Sequence, residues 1–196
     1  MSERALFELR YQTPSPWLEA VLADFDTFLA DHATCEKKAS GMAMSMISHY
    51  PNRPQLIEAM LDLAVEELQH FRQVSHYLYQ RGRQLQADEK DSYVNRLRQA
   101  MRAKSEHYLL DRLLIGSIIE KRGVERFGLI AAALPDGEAL QLFYAALTRS
   151  EERHYEIFYR LAEGYFAADC VAARTAELLD IEAQIVASLP FRAALH

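Results

Sequence analysis

The chain carries one ligand pattern twice, and that repeat limits what it can fold into. Glu67-Leu68-Gln69-His70 sets a carboxylate and an imidazole three residues apart, on one face of a helix, where they can grip one metal ion together. Glu151-Glu152-Arg153-His154 repeats the spacing. Each pair follows a further glutamate at the same distance: Glu36 lies 31 residues before Glu67, and Glu120 lies 31 residues before Glu151. The flanks agree, with Glu36-Lys37-Lys38 answering Glu120-Lys121-Arg122 and His70-Phe71 answering His154-Tyr155. One Glu from each of two helices plus Glu-x-x-His from each of two others is a set by which helical bundles hold two iron or manganese ions. The candidate metal ligands are therefore Glu36, Glu67, His70, Glu120, Glu151 and His154.

The surrounding sequence supplies the helices. Only 7 Gly and 6 Pro interrupt long runs of Ala, Leu, Glu, Arg and Gln, and no stretch alternates as a strand does. Pro14-Ser15-Pro16 predicts a helix capped by Ser15 and running to about Ala30, with Asp31 capping a second that reaches His49 and carries Glu36. Asn52 and Pro54 open a third, to about Gln80, on which Met60, Leu63, Ala64, Glu67, His70, Phe71 and Val74 form one stripe. A loop follows Gly82, then a short helix over about Ser92 to Arg102. Tyr108 to about Leu134 carries Glu120 among Leu113, Gly116, Ser117, Val124 and Phe127. Asp136 is expected to cap a helix to about Gly164 that aligns Tyr144, Leu147, Glu151, His154, Tyr155 and Phe158. Ala168 to Leu189 reads as a last amphipathic helix packed outside the four ligand-bearing ones.

At 196 residues the expectation is one domain, 1–196, large enough to bury a core without a staple. No uncharged run approaches a membrane span, and Met1 to Arg10 lacks the order of a signal peptide, which predicts a cytoplasmic location and no membrane partner. Cys35 and Cys170 are too few for a disulfide framework and read as reduced packing residues. Met42, Met44 and Met46 read as packing too. His32, His49, His76, His107 and His196 lack a ligand framework and are expected at the surface or satisfied in the core. A formal charge of −6 argues against indiscriminate nucleic-acid binding, yet 81–104 holds seven basic residues against three acidic.

Four carboxylates gathered on apolar faces repel one another and cost several kcal/mol each if left charged and uncompensated. Two divalent cations cancel them. Oxygen and imidazole donors suit Fe, Mn or Zn. Mixed carboxylate and histidine coordination, tolerant of both Fe(II) and Fe(III) and leaving positions open for oxygen, points to iron.

With these residues located, the chain resembles the MiaE family of tRNA hydroxylases. The resemblance covers nearly the whole length. It rests on 28–33 leading into Cys35-Glu36-Lys37-Lys38-Ala39, on Glu66-Glu67-Leu68-Gln69-His70-Phe71, on Leu109-Leu110-Asp111-Arg112-Leu113-Leu114 leading to Ile119-Glu120-Lys121-Arg122, on Glu125-Arg126-Phe127, and on Ser150-Glu151-Glu152-Arg153-His154. The metal motifs are common to the ferritin-like superfamily, whereas the lead-in to Glu36, the Leu109 to Phe127 block and the basic insert are particular to this family. The resemblance implies an all-α, ferritin-like four-helix bundle with additional helices, and two iron ions held by the six residues above. It further implies a monooxygenase that uses O2 and an unidentified electron donor to hydroxylate the isopentenyl group of 2-methylthio-isopentenyladenosine beside the tRNA anticodon. Arg81, Arg83, Arg96, Arg98, Arg102 and Lys104 are then candidate contacts to the anticodon arm, with Tyr93 and Tyr108 as stacking residues, although a solvated charged face explains the same residues. The competing enzyme reading is a ferritin- or rubrerythrin-like iron oxidase or peroxide scavenger on the same ligands. A metal-free helical RNA-binding protein is the third, and the apolar setting of Glu120 argues against it.

Overall fold

A computed structural model of the chain describes residues 6–103 and 107–196. All regular structure among them is helical: α1 (Ser15–Ala23), α2 (Phe25–His49), α3 (Pro54–Gln80), α4 (Ser92–Gln99), α5 (Tyr108–Ala133), α6 (Ala139–Tyr165) and α7 (Ala168–Ala187). They fall into two compact units, one of Pro14–Lys90 with Phe191–Leu195, the other of the residues up to Thr13 with Asp91–Pro190 and His196.

The first unit is built on α2 and α3, joined by the short Tyr50-Pro51-Asn52-Arg53 connection that returns one helix along the other. Ser40 Oγ donates to the Ala64 carbonyl at 2.8 Å, so a small polar side chain ties the two helices together. The break before α2 comes at Asp24, seven residues earlier than the Asp31 cap expected from sequence. Asp24 accepts the Thr27 amide at 3.2 Å and the Thr27 hydroxyl at 2.7 Å, the bonds an N-cap supplies. Asp31 lies inside α2 and its carboxylate accepts the Leu195 amide at 2.7 Å. Trp17, buried on α1, donates its indole N–H to the Ala194 carbonyl at 3.0 Å, which fixes 191–195 against the unit.

The second unit pairs α5 with α6 in the same way, with α7 and α4 packed on α5 and on each other. Pro135 to Glu138 make the turn. Gly137 takes a positive φ of 77° there, and Glu138 rather than Asp136 occupies the N-cap position of α6. Ser117 Oγ donates to the Tyr155 carbonyl at 2.8 Å. At Gly116 the α6 side chain Phe158 comes so close that a Cβ would sit 3.1 Å from its ring. α4 starts on Asp91, whose side chain accepts the Val94 amide at 3.1 Å. It buries Tyr93 and Leu97, one helical turn apart.

Two buried ionic clusters hold this unit. Arg122 on α5 donates to both oxygens of Glu182 on α7, at 2.9 and 3.0 Å, to the Tyr11 carbonyl at 2.8 Å and to Glu125. Tyr93 adds a hydrogen bond to Glu182 at 3.0 Å, and burial followed by the Glu182 charge pushes its phenol well up. Burial and the neighbouring Arg122 charge bring the Arg126 guanidinium down to about 10. Asp111 at the start of α5 accepts two bonds from the Arg102 side chain, at 3.0 and 2.6 Å, and one from the Arg102 amide at 2.7 Å. It also accepts two from Arg174 on α7, at 2.9 and 3.1 Å. No helix among the described residues is long and apolar enough to cross a membrane.

Candidate metal centre

Each helix pair presents one triad. In the first unit Glu36 comes from α2 and Glu67 and His70 from α3; one donor atom of each lies within 4.8 Å of the others. His70 Nδ1 is 3.4 Å from Glu67 Oε2 and 4.0 Å from Glu36 Oε2. In the second unit Glu120 comes from α5 and Glu151 and His154 from α6, again within 4.8 Å. His154 Nδ1 is 3.3 Å from Glu151 Oε2. All six residues are buried, none more than 8% exposed.

The repeat explains this placement. Glu67 and His70, like Glu151 and His154, sit one turn apart on the face that carries Leu63 and Val74 in α3, or Leu147 and Phe158 in α6, so the core-facing stripe delivers them inward. Glu36 and Glu120 are delivered by the face that packs on that partner helix. Each triad offers two carboxylates and one imidazole, hard and borderline donors that suit iron. Buried anions at this density require cations to offset their desolvation, so the residues fit the group that the sequence pattern implies.

One buried residue beside the first triad was not distinguished by the sequence reading, which placed His32 merely at the surface or in the core. His32 is fully buried, and its Nε2 lies 2.5 Å from Glu36 Oε1. The signal was present: His32 stands four residues before Glu36, one turn away on the same face. Of the other histidines, His49 and His76 are exposed. His196 stacks on Tyr93 with ring centroids 4.6 Å apart and lies 2.9 Å from Asp91 Oδ2.

The basic stretch is less open than its sequence suggests. Arg81 and Arg83 both donate to Asp26, Arg83 at 2.7 Å. Arg96 donates to Ser188 Oγ at 2.7 Å, and Arg102 is committed to Asp111. Arg98 is exposed on α4, and Lys104 lies outside the described residues. Tyr93 is corrected as a stacking candidate: it is 1% exposed with its hydroxyl on Glu182, and no base can reach its ring. Tyr108 is half-buried, with the Arg112 guanidinium 6.0 Å from its ring centre. Neither cysteine is in a disulfide.

Comparison with known proteins agrees with the helical fold. A solved structure, protein 43 with aldehyde deformylating oxygenase activity from Synechococcus, superposes with a TM-score of 0.92, covering 97% of this chain and 96% of that one at 32% identity. The fold class is all-α and ferritin-like. A tRNA 2-(methylsulfanyl)-N(6)-isopentenyladenosine(37) hydroxylase from Pseudomonas putida is 40% identical over 167 residues, which are 85% of this chain and 80% of that protein. One of the same name from Salmonella typhimurium is 35% identical over 158 residues, 81% of this chain and 57% of that longer protein. The model of the family described as tRNA-(MS[2]IO[6]A)-hydroxylase matches residues 2–196. With 40% identity to a named member and a family match over nearly its whole length, the chain belongs to the MiaE family of tRNA hydroxylases.

Proposed function

We propose that this chain is an O2-dependent hydroxylase of the isopentenyl group on 2-(methylsulfanyl)-N(6)-isopentenyladenosine in tRNA, working in the cytoplasm with two iron ions held by Glu36, Glu67, His70, Glu120, Glu151 and His154. The observation that carries it is the pair of buried Glu, Glu and His triads, one in each unit, in a chain whose named relatives act on that nucleoside. Iron bound there supplies the activation of O2 with electrons from a separate donor, so that one oxygen atom enters the product and the other leaves as water. The protein's own part is to hold the ions through six fixed side chains and to keep bulk water from them. His70 and His154 each turn Nδ1 toward the glutamate one turn before it, Glu67 and Glu151, on the core-facing side of their helices. Exposed arginines such as Arg98 contribute charge toward the phosphates of the anticodon arm.

The test is chemical. Purified protein is expected to hold about two irons per chain, and with reductant and O2 it converts the hypermodified nucleoside in tRNA to a product heavier by one oxygen. Glu120→Ala removes both iron and product. Arg98→Ala weakens tRNA binding and leaves iron in place. An iron-loaded, reducible protein that leaves such tRNA unchanged in mass overturns the reading. The Synechococcus match supports a second reading, aldehyde deformylation; a long-chain aldehyde offered in parallel decides it, because only one of the two substrates is consumed under each reading.

A further inference from the structure

The two triads share their donors and differ in what stands behind the first glutamate. In α2 the position one turn before Glu36 is His32; in α5 the position one turn before Glu120 is Gly116. His32 Nε2 lies 2.5 Å from Glu36 Oε1, while Glu36 Oε2 is the oxygen directed at the triad, 4.0 Å from His70 Nδ1. The carboxylate is thus divided, one oxygen held from behind and the other presented. An ionised carboxylate only accepts, so Nε2 carries the hydrogen of this bond. The Phe28 ring lies tilted over the imidazole with centroids 5.8 Å apart, and both side chains are fully buried, so packing fixes the ring and keeps water from competing for the bond. Residue 116 has no side chain with which to do the same for Glu120, and the room is filled by the Phe158 ring instead.

We infer that His32 is a positioning residue that holds Glu36 to coordination through a single oxygen at the metal position beside His70. The inference rests on the two-iron reading above. A hydrogen-bonded oxygen is a poorer bridge or chelate, so Glu36 keeps one binding mode. Outer-shell partners of metal ligands act in this way generally, and losing one costs about 10- to 100-fold in affinity.

The experiment is an anaerobic titration with ⁵⁷Fe(II), followed by Mössbauer spectroscopy, on the full chain and on His32→Gln and His32→Leu. The unaltered chain supplies the reference iron signals and affinities. His32→Leu, which withdraws the donor, changes one signal and weakens that site about 10- to 100-fold, leaving the other where it was. His32→Gln, whose amide donates over a similar reach, restores the first signal and its affinity. Where leucine prevents folding, as circular dichroism would show, His32→Phe replaces it, keeping a ring against Phe28 without a donor. Unchanged signals and affinities in the leucine or phenylalanine variant, or a glutamine variant that behaves as they do, overturn the inference. If the unaltered chain takes up no iron, the two-iron reading itself has failed.

Discussion

The α2–α3 and α5–α6 pairs answer the same ligand pattern with different supports. Beside Glu36, Lys37 and Lys38 reach outward to the loop after α3, to Asp88 Oδ1 and the Glu89 carbonyl, each at 2.5 Å. Beside Glu120, Arg122 turns inward and is fully buried between Glu182, Glu125 and the Tyr11 carbonyl. Each pair also pins its helices with one serine hydroxyl on a backbone carbonyl, but Ser40 and Ser117 do not occupy corresponding positions. Ligation fixes the spacing of the donors. It does not dictate how each helix is braced, so one half relies on a surface loop and the other on a buried charge network.

The sharpest way to break that comparison is to exchange the flanking cation in each half. Arg122→Met leaves Glu182, itself fully buried, facing Tyr93 without its guanidinium, and removal of one partner from a buried pair costs about 3–5 kcal/mol. In a chain of this size that lowers the thermal midpoint by roughly 10 °C. Lys38→Met gives up an exposed hydrogen bond, and the expected change is within about 0.5 kcal/mol. Calorimetry on the two variants compares them directly. Equal losses would mean that the halves are braced alike.

A smaller effect is expected at Gly116. Its neighbour Phe158 is fully buried and leaves no room for a methyl group, so Gly116→Ala overpacks the contact at a cost of about 1–3 kcal/mol. The first unit has Val74 at the place of Phe158 and a full imidazole at the place of Gly116. Combining Gly116→Ala with Phe158→Val therefore recovers part of the loss relative to the sum of the single changes, and a double-mutant cycle by denaturant unfolding reads that coupling. Additive losses would show that glycine and phenylalanine do not compensate each other here.

These supports mark the limit of what the sequence makes legible. The donors and the helices that carry them are local patterns: a one-turn spacing, an apolar stripe, a proline or glycine near each end. Those agree with the structure to within a few residues at most ends. The choice between Asp24 and Asp31 as the cap of α2 was not legible, because either aspartate can cap and Asp31 is claimed by the Leu195 amide, far along the chain. The opposite fates of Lys38 and Arg122 depend on Glu182, 60 residues beyond Arg122, which no local motif reveals. Tyr93 was misread for a different reason. Arg96 and Arg98 dominate the character of α4, yet Tyr93 and Leu97 share one face, and that pairing carried the signal of burial.

The smallest expected effect is in the response to acid, and it separates two aspartates that each hold two arginines. Asp26 in the first unit takes Arg81 and Arg83 at the surface; their hydrogen bonds hold its carboxyl below the ordinary 3.8. Asp111 in the second takes Arg102 and Arg174. Burial pushes its carboxyl up, but the hydrogen bonds from the two guanidiniums outweigh it and the net shift is again below 3.8. A carboxyl depressed in the folded state stabilises the fold fully above its ordinary value, and the stabilisation is lost as pH falls through the depressed one. Both clasps therefore weaken below about pH 4. Solvent and salt screen Asp26, whereas Asp111 is fully buried and screened little. Asp111→Asn should flatten the acid limb of a plot of thermal midpoint against pH, and Asp26→Asn should leave that limb as it is, the more so in about 1 M salt, where the screening length is about 3 Å. A flattened limb in the Asp26 variant alone would reverse the assignment of buried and surface bracing to the two halves.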